Sequence, residues 1–187
     1  MQTQTYTYED YLKINDDKQY ELIGGELILV PAPQAAHQEV SINLVYAILD
    51  FIRKNKLGKL FHAPFDVILS DKDKPQPDIV FISKERLNII AKDGVHGAPD
   101  LVVEILSPST GSLDKVEKSK LYYTHGVQEY WIVDPISKAV QVFTRGEKNW
   151  NLFESYSTNQ TLLSPLLPGL EITLNDIFTG EYDNVTQ

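Results

Sequence analysis

The sequence predicts a mixed α/β domain, a central mixed sheet flanked by helices, and three observations carry that prediction. Asp78-Ile-Val-Phe-Ile82 and Leu101-Val-Val-Glu-Ile-Leu106 are apolar at nearly every position, the pattern of strands covered on both faces. His37–Asn55 instead places Val40, Leu44, Val45, Ile48, Leu49 and Ile52 at the spacing that lines one face of an α-helix. Strands and helices then interleave along the chain, with a helix expected after the two most apolar strands. At 187 residues, with no linker, repeat or low-complexity tract, residues 1–187 are expected to form a single domain.

Taken in order, Tyr6–Leu12 predicts a short helix with Thr7 as N-cap and Glu9 and Asp10 in its first turn. Tyr20–Ile23 and Glu26–Val30 flank Gly24-Gly25, a pair suited to the positive φ angles of a two-residue hairpin turn. Pro31 and Pro33 stop the second strand. The long helix over His37–Asn55 is expected to end just before Gly58. Phe61–Leu69 alternates apolar and polar side chains and predicts a strand, followed by an Asp71–Pro75 loop and the first apolar strand. A polar stretch from Ser83 to Gly97 leads to the second. Ser107-Pro-Ser-Thr-Gly-Ser predicts a turn into a helix over Leu113–His125, with Gly126 placed to end it in a left-handed conformation. Glu129–Asp134, Ala139–Thr144, Trp150–Tyr156 and Thr161–Leu167 predict further strands, and the turns after Gly169 are expected to wrap one edge. Tyr130 and Trp131 read as core and covering aromatics.

Composition excludes several classes. A hydrophobic fraction of 42% with 23% charged residues is ordinary globular usage and argues against bulk disorder. The absence of cysteine removes disulfides, zinc ribbons, iron–sulfur clusters and thiol nucleophiles together. Any metal must then be held by carboxylate, histidine or carbonyl. Met1–Tyr11 is polar with no apolar core of a leader peptide, and no apolar run approaches the ~20 residues of a membrane span. A bacterial-type cytoplasm is the expected location. Seventeen basic against 26 acidic residues give a net charge of −9, which weighs against a protein held to nucleic acid by counterion release.

Glu104 interrupts the most apolar strand, where an unpaired carboxylate costs several kcal/mol in effective terms. It therefore reads either as half of a structural ion pair or as a metal ligand or base. Asp78 and Asp100 each follow a proline and compete to be its partner. Asp100 lies four residues away on the same strand face, about 13 Å along the chain, whereas a neighbouring strand lies only ~4.8 Å to the side. Asp78 is the better partner. Asp114, Lys118 and Tyr122 are four apart and share a helical stripe. That stripe is either a solvated salt-bridge face or, because the helix begins at the end of the Glu104 strand where open sheets bind ligands, a lid carrying Lys118 over the carboxylates. His62, His96 and His125 have no spacing that suggests a metal site.

Gln76-Pro-Asp-Ile-Val-Phe, followed by Ala98-Pro-Asp-Leu-Val-Val-Glu-Ile-Leu-Ser-Pro-Ser-Thr, resembles the Uma2 family, formerly a domain of unknown function. The likeness continues through Asp114, Lys118, Tyr122, Gly126-Val127 and Glu129–Pro135. On the N-terminal side it takes in Tyr20-Glu-Leu-Ile-Gly-Gly-Glu-Leu and His37, so it spans about Tyr8 to Phe178. The resemblance implies a restriction endonuclease-like core of the PD-(D/E)xK superfamily, with an N-terminal hairpin and extra C-terminal strands. It implies Asp78 and Glu104 as the two acids that bind Mg²⁺ or Mn²⁺. Leu106 stands where that superfamily has its lysine, and Lys118 is the matching position on the following helix. Glu21 and His37 are added as candidates from the same recurring segments, Glu21 as a third oxygen.

Three functions follow as expectations. The first is an endonuclease hydrolysing phosphodiester bonds of nucleic acid, DNA by preference, with Asp78 and Glu104 on the metal, the Ile105 carbonyl as a further ligand and Lys118 acting on water or phosphate. Lysines 54, 56 and 59, and 115, 118 and 120, could supply local basic patches that the net charge conceals, or equally be solvated helix ends, the reading favoured for the first three. The second is a degenerate nuclease fold used as a binding or regulatory module, in which Glu104 merely pairs with Lys118. The third is a metal-dependent hydrolase of a smaller substrate. A two-fold homodimer is expected for a fold that cuts duplexes.

Overall fold

The computed structural model describes residues 5–107 and 114–180, with side chains of the second stretch from 116 onward. In chain order the elements are α1 (Tyr8–Tyr11), β1 (Tyr20–Ile23), β2 (Glu26–Leu29), α2 (Ala35–Asn55), β3 (Gly58–His62), β4 (Val67–Ile68) and β5 (Ile79–Ser83). A 3-10 turn (Lys84–Ile89), β6 (Val95–His96) and β7 (Leu101–Ile105) follow. A π-helical turn (Asp114–Lys118) then runs into α3 (Ser119–His125). The chain continues through β8 (Glu129–Asp134), β9 (Ala139–Arg145), β10 (Trp150–Ser157), β11 (Thr161–Leu163), β12 (Glu171–Thr173) and α4 (Leu174–Ile177).

Six strands build the central sheet in the order β10-β9-β8-β7-β5-β3. Every neighbouring pair is antiparallel except β7 and β8, which are parallel and joined by the crossover through α3. Alternation along the strands divides the core between two faces. Ile79, Phe81, Leu101, Val103, Ile105, Trp131 and Val133 meet Val40, Leu44, Ile48 and Ile52 of α2 on one side. Val80, Val102, Tyr130 and Ile132 meet Tyr122 of α3 on the other. Both faces are covered, as the unbroken apolar runs require. The mixed sheet flanked by helices is the architecture the sequence predicts.

Local chemistry explains most boundaries. Thr7 caps α1 in a capping box with Asp10, each side chain bonding the other's backbone N–H. Gly24 and Gly25 both take positive φ, and a Cβ on Gly25 would sit 2.3 Å from Thr5 Cγ2, so the turn needs glycine twice over. The segments after Leu163 fold back over α2: β12 pairs with β11, and the Asn43 amide donates to the Ile177 carbonyl.

Three expectations are corrected. Phe61–Leu69 is not one strand: Gly58–His62 forms β3, and β4 is a two-residue piece beyond Pro64 paired with β6. Alternation alone could not show the break, because Pro64 interrupts the ladder and Asp66 turns inward to Lys74. As expected, α2 ends just before Gly58, with Lys56 in the left-handed region as its cap; Gly58 itself is needed where β3 pairs with β5, since a Cβ there would lie 2.0 Å from the Ile82 carbonyl oxygen. Only a 3-10 turn, not a helix, follows β5. The Thr161–Leu167 strand ends at Leu163. Most of the Ser107–Ser112 turn, and Leu113, fall outside the described residues.

Glu129 shows how the C-terminal segment is fixed. Its buried carboxylate accepts hydrogen bonds from Trp131 Nε1 (2.8 Å), Ser164 Oγ (2.6 Å) and the Leu166 N–H (2.8 Å). Burial lifts its pKa, opposed by those three donors. Because a glutamine offers a single acceptor oxygen, Glu129→Gln turns an amide N–H₂ toward one donor and is expected to cost about 1–3 kcal/mol. The raised pKa means that the wild type loses stability as pH climbs out of the ordinary carboxylate range. The gap between wild type and variant should therefore narrow from acid to neutral pH in urea melts. A gap that widens would contradict this assignment.

Candidate active site

β5 and β7 place the two acids. Their antiparallel register sets Ile79 opposite Val103 and Val80 opposite Val102, so one further step sets Asp78 opposite Glu104, both on the α3 face of the sheet. Asp78 Oδ2 accepts the Ile105 N–H at 2.7 Å, which ties the start of one strand to the end of the other. His37, in the first turn of α2, brings Nε2 to 3.2 Å from Asp78 Oδ1.

Glu104 is buried, 2% exposed, and gathers its partners from the helix above. Tyr122 O–H donates to Oε1 at 2.5 Å, and Lys118 Nζ lies 3.3 Å from the same oxygen. Burial, followed by the charge of Glu104, raises the Tyr122 pKa well above 10, so the phenol stays protonated and remains a donor. Lys118 also reaches Glu21 Oε1 on β1 at 2.9 Å. One ammonium therefore joins a hairpin carboxylate to a sheet carboxylate, all three groups buried. The π-helical turn ending at Lys118 belongs to a type of irregularity frequent at functional sites. Lys118 and Tyr122 do share a stripe over Glu104. The side chain of Asp114, the third member, is outside the described residues.

Tyr122→Phe keeps the ring and removes only the donor. Charge-assisted hydrogen bonds of this kind are worth about 1.5–3 kcal/mol, so a loss of that size is expected in chemical denaturation. An unchanged midpoint would show that the Tyr122 hydroxyl adds nothing to the hold on Glu104.

Asp100 lies at the other end of β7. Its carboxylate accepts from the Ser83 N–H at 2.8 Å and pairs with Arg86 at 2.8 Å, a structural clamp away from Glu104. The sequence reading gave no role to Gln76 or Lys74, which the fold brings together on Asp66. Gln76 donates its backbone N–H to Glu21 Oε1 (2.6 Å) and its amide to Asp66 Oδ1 (2.6 Å). Lys74, fully buried, donates to Asp66 and to the Tyr20 carbonyl, with the Tyr11 ring 3.7 Å above its ammonium. The only signal for Gln76 was its place two residues before Asp78. A lysine in a charged loop gave none.

The acids, Lys118, Glu21 and His37 line one end of a pocket of about 380 Å³. The run from Ile28 to Pro33, whose first residue is paired with Glu21 in the hairpin, gives it an apolar wall, and Gln19, Gln34, Gln38 and Gln76 also line it. Among the described residues no group of three or more histidine, aspartate or glutamate side chains is arranged to hold a metal. The oxygen donors at the pocket end are instead the carboxylates of Glu21, Asp78 and Glu104 beside main-chain groups. No described helix is long and apolar enough to cross a membrane.

The chain is similar to an uncharacterized protein of Synechocystis sp., 25% identical over 162 residues that cover 84% of this chain and 91% of that one. Its fold is similar to the crystal structure of a protein from Anabaena variabilis described as "a putative nuclease belonging to DUF820". That likeness has a TM-score of 0.76 at 23% identity and covers 92% of this chain and 97% of the other, which establishes the shared fold. Residues 6–175 match the model of a family described as "Putative restriction endonuclease", and over that span, nearly the whole sequence, the chain belongs to the Uma2 family.

Proposed function

We propose that this protein is an endonuclease that hydrolyses phosphodiester bonds of nucleic acid, DNA by preference. The observation that carries the reading is the cross-strand pair of Asp78 and Glu104 at a pocket end beside a buried lysine. Mg²⁺ suits this donor set, because it is commonly held by one or two carboxylates with waters and substrate phosphates rather than by a full protein cage. Asp78 and Glu104 would hold it, with the Ile105 carbonyl as a further oxygen; Mn²⁺ would fit the same hard donors. A divalent ion there supplies Lewis acidity toward the phosphoryl oxygens.

The protein's own groups do the rest. Lys118, fixed by Glu21 and Glu104, presents a positive charge where charge builds on the phosphate and can orient the attacking water. His37 holds Asp78, and Tyr122 holds Glu104 from the opposite side. Placing Lys118 on the helix accounts for Leu106 just past the end of β7, whose buried side chain joins the apolar cluster with Tyr122.

One observation favours a second reading, a binding module that has lost catalysis: Lys118 is already ion-paired with Glu104. Calorimetric titration of Mn²⁺ separates the two. Saturable binding together with Mg²⁺-dependent nicking of supercoiled plasmid supports the nuclease. Absence of both at millimolar metal supports the module. Metal binding without nicking points to a hydrolase of a smaller substrate.

A further inference from the structure

We propose that the pocket takes a single unpaired nucleotide, its base against the apolar wall from Ile28 to Pro33 and its phosphate toward Asp78, Glu104 and Lys118. The substrate class would then be single-stranded nucleic acid, or duplex with an unpaired or extruded base. This deepens the nuclease reading and rests on it.

Size is the first argument. A volume of about 380 Å³ falls at the small end of the roughly 300–1,000 Å³ typical of small-molecule sites, a space for one nucleotide but not for paired strands. Chemistry is the second. Proteins that hold duplexes spread lysine and arginine over several phosphates. Lys118 is the one lysine or arginine among the described lining residues, and Glu21 and Glu104 already engage it. The lining carboxylates Glu21, Asp78 and Glu104 outnumber it, and the whole chain carries −9. Beyond the attraction that a divalent ion on Asp78 and Glu104 would supply to one phosphate, affinity within the pocket comes from the uncharged part of the ligand. The wall offers aliphatic surface for the face of a base, and Gln34 and Gln38, at the start of α2, offer amides that can donate to or accept from its edge.

The test is fluorescence anisotropy with three labelled probes: a deoxythymidine decamer, a fully paired duplex, and that duplex with one unpaired nucleotide. Binding is measured in Ca²⁺ and again in EDTA, so that the readout does not depend on turnover. The decamer and the interrupted duplex should bind at least ~10-fold more tightly than the paired duplex, the scale of one base contact. Ala32→Trp, at an exposed position on the wall, should erase that preference with no change in melting temperature. Leu29→Asp, also exposed, is the second variant if the first does not fold. Equal binding of all three probes, a preference that survives a folded wall variant, or no binding to any probe would overturn the inference. Preferential binding without cleavage would leave it standing and remove the nuclease reading. Cleavage of paired DNA without that preference would do the reverse.

Discussion

Asp78→Asn and Glu104→Gln should each lower metal-dependent plasmid nicking by at least ~100-fold, since even supporting residues at metal centres cost 10–100-fold when altered. Both substitutions keep size and hydrogen-bonding capacity while removing one negative charge, so folding should survive. For Glu104→Gln the amide oxygen can still accept from Tyr122, while the attraction to Lys118 is weakened. For Asp78→Asn the amide oxygen can still take the Ile105 N–H. Circular dichroism and melting curves check this independently of activity. Mn²⁺ calorimetry should show weakened binding in both. Equal nicking by wild type and both variants would mean that the activity belongs to a contaminant.

Lys118→Ala is expected to give the largest loss of stability. It leaves Glu21 and Glu104 facing each other without the ammonium between them, both carboxylates buried. Breaking a buried ion pair from one side costs about 3–5 kcal/mol, because the remaining charge has no compensation. For a chain of this length that corresponds to a fall of about 6–20 °C in melting temperature. The double variant Lys118→Met/Glu21→Gln removes a charge of each sign and should recover much of the stability. It should not recover nicking, which needs the positive charge itself. A double variant as active as wild type would reduce Lys118 to a structural strut. Lys74→Ala breaks a comparable bond to Asp66, but Asp66 keeps the Gln76 amide and partial solvent contact. Its cost should therefore be smaller than that of Lys118→Ala.

The acids and the lysine were legible because each broke a pattern. Glu104 stands in an otherwise apolar strand, Asp78 begins another, and Lys118 sits on the helix leaving the first. The strand-spacing argument for Asp78 over Asp100 agrees with the register, which places Asp100 in a clamp with Arg86 at the far end of β7. Glu21 was read as an oxygen for a metal, and the fold shows it bonded to Lys118 and to the Gln76 N–H. Lys74 left no trace in the pattern. A lysine between aspartate and proline reads as a solvated loop until a neighbouring strand, a carboxylate and an aromatic ring close over it.

By itself the sequence determined the elements whose cause is local. Apolar runs made β5 and β7, helical spacing made α2, and Gly24-Gly25 made the hairpin, because burial periodicity and backbone freedom act within a few residues. Tertiary structure alone decided the strand order, the division of Phe61–Leu69 into β3 and β4, and the joining of Glu21 to Lys118 across 96 intervening positions. Those contacts depend on which surfaces meet once the sheet has formed. A buried charge finds its partner in space, and sequence neighbours carry no record of it.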